Sequence, residues 1–159
     1  MRKLYVFVFF NIILLNLFSQ GLKYLNDEEY IKLIEKYVTS NKLTLKTIGD
    51  LRYVIINEND TVRYFILSSD YSQVRGYHGV TTLGIVLNKD MKVHHVQIVD
   101  SQDTRAYISR INAMGFMQRL VGYGKGDQVE LVTGATITAK AIIQTINESV
   151  ERFKTVLNN

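Results

Sequence analysis

Two pairs of β-rich runs, each closing on a short turn rich in asparagine and aspartate, most constrain what this chain can fold into. Residues 51–57 and 61–68 flank Asn57-Glu58-Asn59-Asp60, and residues 83–87 and 93–99 flank Asn88-Lys89-Asp90-Met91. Runs of Val, Ile, Tyr and Phe joined by so few residues can pair only antiparallel, because a parallel crossover needs about a dozen residues or more. Helical patterns surround the hairpins. Asn26 is placed to cap a stretch that begins Asp27-Glu28-Glu29 and sets Tyr30, Ile31, Ile34, Tyr37 and Val38 at helical spacing, ending near Asn41. Residues 107–120 fit one or two short helices, and residues 137–157 a long closing helix with Ile137, Ala141, Ile142, Thr145, Ile146, Val150 and Phe153 on one face. Residues 71–82 read as a glycine-punctuated loop or bent strand, residues 100–105 as a polar linker and residues 129–132 as a last strand. The expected fold is α+β: a single domain with a small antiparallel sheet built of hairpins and flanking helices.

Composition narrows the chemistry. Hydrophobic residues are 47% of the 159 and charged residues 21%, which suits a globular chain with a real core. The net charge of +4 is spread along the chain without a basic stripe, so no nucleic-acid partner is expected. Cysteine is absent, which removes disulfides, thiolate metal sites and Fe–S ligation together. His94 and His95 are adjacent on a predicted strand and are expected to point to opposite faces, one at the surface and one at least partly buried. With His78 the only other histidine and no ligand spacing around them, no metal site is expected. Ser68, Ser69, Ser72 and Ser101 lack a nucleophile-elbow context, which argues against a serine hydrolase. Gly122, Gly124 and Gly126 lead directly into neither a helix nor a lysine-serine pair, so they read as a solvent loop.

Residues 1–20 read as an export signal. Arg2 and Lys3 precede an apolar run over residues 4–18 that only Asn11 and Asn16 interrupt, and cleavage is expected after Ser19. A retained membrane anchor is the alternative; the run is shorter than the ~20 residues of a full span. Either way the remainder lies outside the cytoplasmic membrane, at its outer face or in the periplasm. Residues 21–70 then form an N-terminal helix and hairpin and residues 71–159 the core, packed as one unit.

One turn stands apart. Thr133-Gly134-Ala135-Thr136-Ile137-Thr138 joins the expected last strand to the closing helix. Helix mouths carry unpartnered N–H groups and a favourable dipole, so such a turn can hold an anion. Alternatively, Thr136 or Thr133 simply caps the helix.

Two further segments precede it in order. Gly76-Tyr77-His78-Gly79 leads into the second hairpin, and Asp103-Thr104-Arg105-Ala106-Tyr107 follows that hairpin. Together with the Thr-Gly-Ala-Thr turn they resemble the FMN-binding domain family, which includes extracytoplasmic flavoprotein subunits of the Rnf complex and of the sodium-pumping NADH:quinone oxidoreductase. The resemblance covers about residues 74–152. It implies FMN joined through its phosphate to Thr136, installed by a separate flavin transferase with FAD as donor. Thr138 is the fallback acceptor, or else holds a phosphate oxygen. The resemblance also implies that Thr133, Gly134 and Ala135 line the phosphate, that Gly76, Tyr77, Asp103, Thr104 and Tyr107 serve the ring and ribityl chain, and that no residue is catalytic. Tyr77 or Tyr107 could stack on the ring, and Asp103 and Thr104 could bond the ribityl chain or the ring edge. The implied role is a redox carrier, or a subunit of an oxidoreductase complex, that passes electrons between membrane and extracytoplasmic partners. The alternative is an extracytoplasmic binding or sensing module of the same fold without covalent flavin. Two positions depart from the family pattern: Glu130 stands where aspartate is usual, and Arg105 where proline is common.

Overall fold

The computed structural model of the protein describes residues 25–36, 38, 42–58 and 61–158, so the export signal expected over residues 1–20 lies outside the described residues. Five strands form one antiparallel sheet in sequence order: β1 (Leu43–Ile48), β2 (Leu51–Glu58), β3 (Thr61–Leu67), β4 (Thr81–Leu87) and β5 (Val93–Ser101). The helices are α1 (Asp27–Glu35), α2 (Ser68–Tyr71), α3 (Arg105–Ala113), α4 (Phe116–Arg119) and α5 (Thr136–Leu157). Among the described residues, no helix is long and apolar enough to cross a membrane.

Helix α1 starts where expected, through a capping box. Asn26 Oδ1 accepts from the Glu29 N–H, and Glu29 Oε2 accepts from the Asn26 N–H, both at 3.0 Å. The helix gives way at Lys36, sooner than the expected end near Asn41. Strand β1 has no counterpart in the expectation. It is an edge strand with exposed Thr44, Lys46 and Thr47, so the burial that makes a strand legible is mostly missing.

Alternation along the strands divides the sheet between two cores. One row, Val54, Phe65 and Val86, faces α1 and packs with Tyr30 and Ile34. The adjacent row, Tyr53, Ile66, Ile85 and Val96, faces α5. With both faces covered, β4 is buried at every position. The register across β3 and β4 ties the N-terminal hairpin into the same sheet as the rest.

The buried stripe of α5 is Ala139, Ile142, Ile146, Val150 and Phe153, spaced to lie along one face. Phe153 meets Tyr53, Tyr64 and Tyr71 edge-on at 5.2, 5.4 and 6.1 Å between ring centroids. Burying one such ring stabilises by about 1.5–3 kcal/mol, and each edge contact adds about 0.5–1.5 kcal/mol. This packing fixes where the first turn of α5 emerges. Ile137 departs from the expected buried stripe and is 56% exposed at that first turn.

Residues 129–132 are not a strand. Val132 is buried against the α5-side core as extended loop, and its carbonyl accepts from the Ala135 N–H at 3.0 Å, which starts the turn into the helix. Apolar side chains there serve packing without a ladder partner.

The histidine expectation also fails. Val86 pairs with His95 but Leu87 pairs with Val93, so His94 is the extra residue of a bulge. A bulge breaks the period-two rule, and both imidazoles are exposed and line one cleft of about 230 Å³ with Glu58 and Arg63. Burial, Arg63 and His95 hold His94 below the usual histidine range. Among the described residues, no group of histidine and carboxylate side chains is placed to hold a metal ion.

Candidate functional site

Three segments far apart in sequence converge on one carboxylate. Asp103 follows β5 and is only 8% exposed. Its Oδ1 accepts from the N–H groups of His78 at 2.8 Å and Thr104 at 2.7 Å. Its Oδ2 accepts from the Tyr77 N–H at 3.1 Å and the Thr138 hydroxyl at 2.7 Å. Burial pushes the Asp103 carboxyl up, but the Thr138 hydroxyl and the three backbone N–H groups outweigh it and hold it below the usual carboxylate range. The residue is therefore an anion at neutral pH whose acceptor positions are taken up by the protein itself.

The glycines before it make this approach possible. A Cβ on Gly76 would lie 2.1 Å from Asp103 Oδ2, and one on Gly79 would lie 2.6 Å from the Gln102 carbonyl oxygen. The loop closes through the Gly76 N–H to the Gly79 carbonyl at 2.8 Å. Gly76 and Tyr77 thus belong to a loop clamped onto residues 102–104. Asp103, expected at the ribityl chain or ring edge, makes four internal hydrogen bonds and clamps this loop.

The turn itself differs from a capped helix. Ala135 occupies the N-cap position, and no side chain caps α5. Neither Thr133 nor Thr136 takes that role. The first three N–H groups, on Thr136, Ile137 and Thr138, lack intrahelical partners, at the positive end of a 22-residue helix. Gly134 has φ of +78°, a conformation that costs other residues about 1–2 kcal/mol.

Three threonines and a cation distribute themselves around this mouth. Thr133 and Thr136 are exposed. The Thr136 hydroxyl makes only a long contact to the Val132 carbonyl, at 3.4 Å. Thr138 is 1% exposed, with its hydroxyl committed to Asp103. Arg110, in the last turn of α3, lies across Gly134. Its Nε and Cζ are 3.1 and 3.2 Å from where a Cβ on that glycine would be.

Tyr77 and Tyr107 form the opposite wall, edge to face, with centroids 5.2 Å apart and planes at 86°. Together with residues 134–138 they line a cleft of about 200 Å³. Tyr77 is 59% exposed at its rim. Thr104 is set back from the cleft as the N-cap of α3, with its carbonyl accepting from Tyr107 and Ile108. The cleft brings together Tyr77, Tyr107, Gly134, Ala135, Thr136 and Thr138, while Gly76 and Asp103 support it from behind. Sequence reasoning missed Arg110, for which the turn carries no local signal. It had instead marked Arg105, which is the exposed first residue of α3.

The residues present fit a phosphate monoester or diester. Free N–H groups, a positive helix end, a glycine that lets the backbone come close and a nearby guanidinium are the donors such a group requires. Glu130 carries its side chain on the surface, 89% exposed and 3.8 Å from Arg119.

A comparison with curated proteins finds no match. The family model described as the FMN-binding domain matches residues 76–151, a span that begins at Gly76 and contains Asp103, Tyr107, Arg110 and the whole turn. Residues 76–151 of the chain thus carry a flavin-binding domain of the FMN-binding domain family.

Proposed function

We propose that this protein is an exported electron-transfer flavoprotein whose FMN is esterified through its phosphate to Thr136 by a separate flavin transferase. The observation that carries the reading is the contrast between two hydroxyls one helical turn or less apart. Thr136 is exposed at an uncapped helix mouth, whereas Thr138 is buried and donates to Asp103. In the attachment, the Thr136 oxygen gives up its proton and bonds to the FMN phosphorus of FAD as the pyrophosphate bond breaks and AMP leaves. The free N–H groups of α5 and the close backbone at Gly134 hold and orient the phosphoryl oxygens there.

Bound FMN supplies one- and two-electron transfer; the chain supplies position and surroundings. The cleft of about 200 Å³ is smaller than the roughly 300–1,000 Å³ of enclosed ligand sites, so it suits the phosphate end, and exposed Tyr77 and Ile137 at its rim would hold the ring. An accessible ring edge favours exchange with protein partners. Export rests on the residue 1–20 pattern, and it fits a phosphoester tether that keeps the cofactor from diffusing away. Electrons would pass from a membrane flavoprotein or quinone-linked complex to an extracytoplasmic acceptor.

A second reading is a binding or sensing module of the same fold without covalent flavin. Glu130, in place of the usual aspartate, is the feature that favours it. Co-expression with an exported flavin transferase separates the two: after denaturation, wild-type protein keeps in-gel flavin fluorescence and Thr136→Ala does not. A dark wild type, beside a control target that is modified, rules for the second reading.

A further inference from the structure

One cation lies directly over the turn without an internal task. The guanidinium of Arg110 lies over Gly134, and no hydrogen bond or ion pair engages its side chain among the described residues. Two other arginines illustrate the alternative: Arg119 bonds the carbonyls of Glu130 and Met114, and Arg152 bonds that of Tyr71. Arg110 emerges from the last turn of α3, where a cation is favoured, and meets the first turn of α5, whose N–H groups are uncapped. A guanidinium over Gly134 and a helix mouth therefore meet beside one small cleft, which Gly134 lines and whose lining holds no carboxylate. Asp103, the nearest buried anion, has its acceptors taken by Tyr77, His78, Thr104 and Thr138. The left-handed backbone at Gly134 leaves the side-chain position empty, and Arg110 fills that space.

We infer that Arg110 is the positioning residue for the flavin phosphate: its guanidinium holds the phosphoryl oxygens over Gly134 and makes the turn prefer a phosphorylated flavin to riboflavin. This rests on the reading above that the turn takes the phosphate. Arginine suits the task because its planar fork donates two parallel hydrogen bonds to a phosphate and stays charged at any relevant pH. The chemistry it recognises is the phosphate end of FMN, whether free or as part of FAD on the transferase.

The test uses unmodified full-length protein made without transferase. Fluorescence titrations with FMN and with riboflavin compare wild type, Arg110→Gln and Arg110→Lys, with thermal melts on each. Arg110→Gln is expected to lose about tenfold of the wild-type preference for FMN, with riboflavin affinity and melting temperature unchanged, and Arg110→Lys to keep part of it. Since Arg110 is exposed, a merely structural role would move both flavins together. A preference that survives intact in Arg110→Gln overturns the inference while leaving attachment at Thr136 standing. A wild type with no preference also overturns it. If that wild type is left unmodified by an active transferase as well, the reading it rests on fails too.

Discussion

Thr138 donates its hydroxyl to Asp103 Oδ2 at 2.7 Å, linking the first turn of α5 to the loop that follows β5 across 35 positions of sequence. That bond ties Thr138, one of the two candidate acceptors, into the clamp. Thr138 is 1% exposed, out of reach of an incoming phosphoryl group, which supports the proposal that Thr136 is the acceptor.

The two threonines should therefore separate stability from modification. Thr136→Ala is expected to change unfolding free energy by less than about 0.5 kcal/mol, as exposed substitutions do, and to abolish covalent flavin. Thr138→Val removes a buried donor from a charged acceptor and should cost about 2 kcal/mol while flavin still attaches at Thr136. Urea denaturation and in-gel fluorescence on the same samples check both.

Asp103 should be intolerant even of its amide. Both carboxylate oxygens accept from backbone N–H groups, so asparagine must aim an NH2 at a donor whichever way it turns. Asp103→Asn is expected to destabilise by about 2 kcal/mol. Hydrogen exchange should rise at the Tyr77 and His78 amides first.

The same carboxylate sets an acid dependence. Its folded pKa lies below its ordinary value, so the unfolded chain takes up the proton first on acidification. The stability Asp103 contributes is full above the unfolded value of about 3.9 and disappears as pH falls through the lower folded value. The stability gap between wild type and Asp103→Asn should stay level from about pH 8 to about pH 5 and narrow below about pH 4. Denaturation midpoints across that range test it, and a gap that widens in acid contradicts the sign.

Glycine substitutions should rank by what a methyl meets. At Gly76 it strikes the Asp103 carboxylate at 2.1 Å, so Gly76→Ala should cost about as much as losing the clamp, roughly 2 kcal/mol or more. Gly122 has φ of +84° and open space, so Gly122→Ala should cost only the backbone strain of about 1 kcal/mol. Equal denaturation midpoints for the two variants would contradict the clamp.

What the chain reveals before folding follows from the range of the interactions. The hairpins, the α1 capping box and α5 rest on periodicities and contacts within a few residues, and they are legible. Strand β1 is not, because an exposed edge strand shows little burial pattern. His94 and His95 share a cleft because a bulge breaks the alternation that sequence reading assumes. Residues 129–132 look like a strand because Val132 is buried, although no neighbouring strand pairs with it. At the site, the small-residue turn could be read directly. The clamp at Asp103 and the placement of Arg110 over Gly134 could not, since each joins positions 24 to 35 residues apart.

The most direct test of the account is intact-mass and peptide analysis of protein co-expressed with an exported flavin transferase. The account predicts a gain of one FMN less one water, localised to the peptide carrying Thr133-Gly134-Ala135-Thr136 and assigned to Thr136. An unshifted mass beside a modified control target, or the adduct on Thr138, would contradict it.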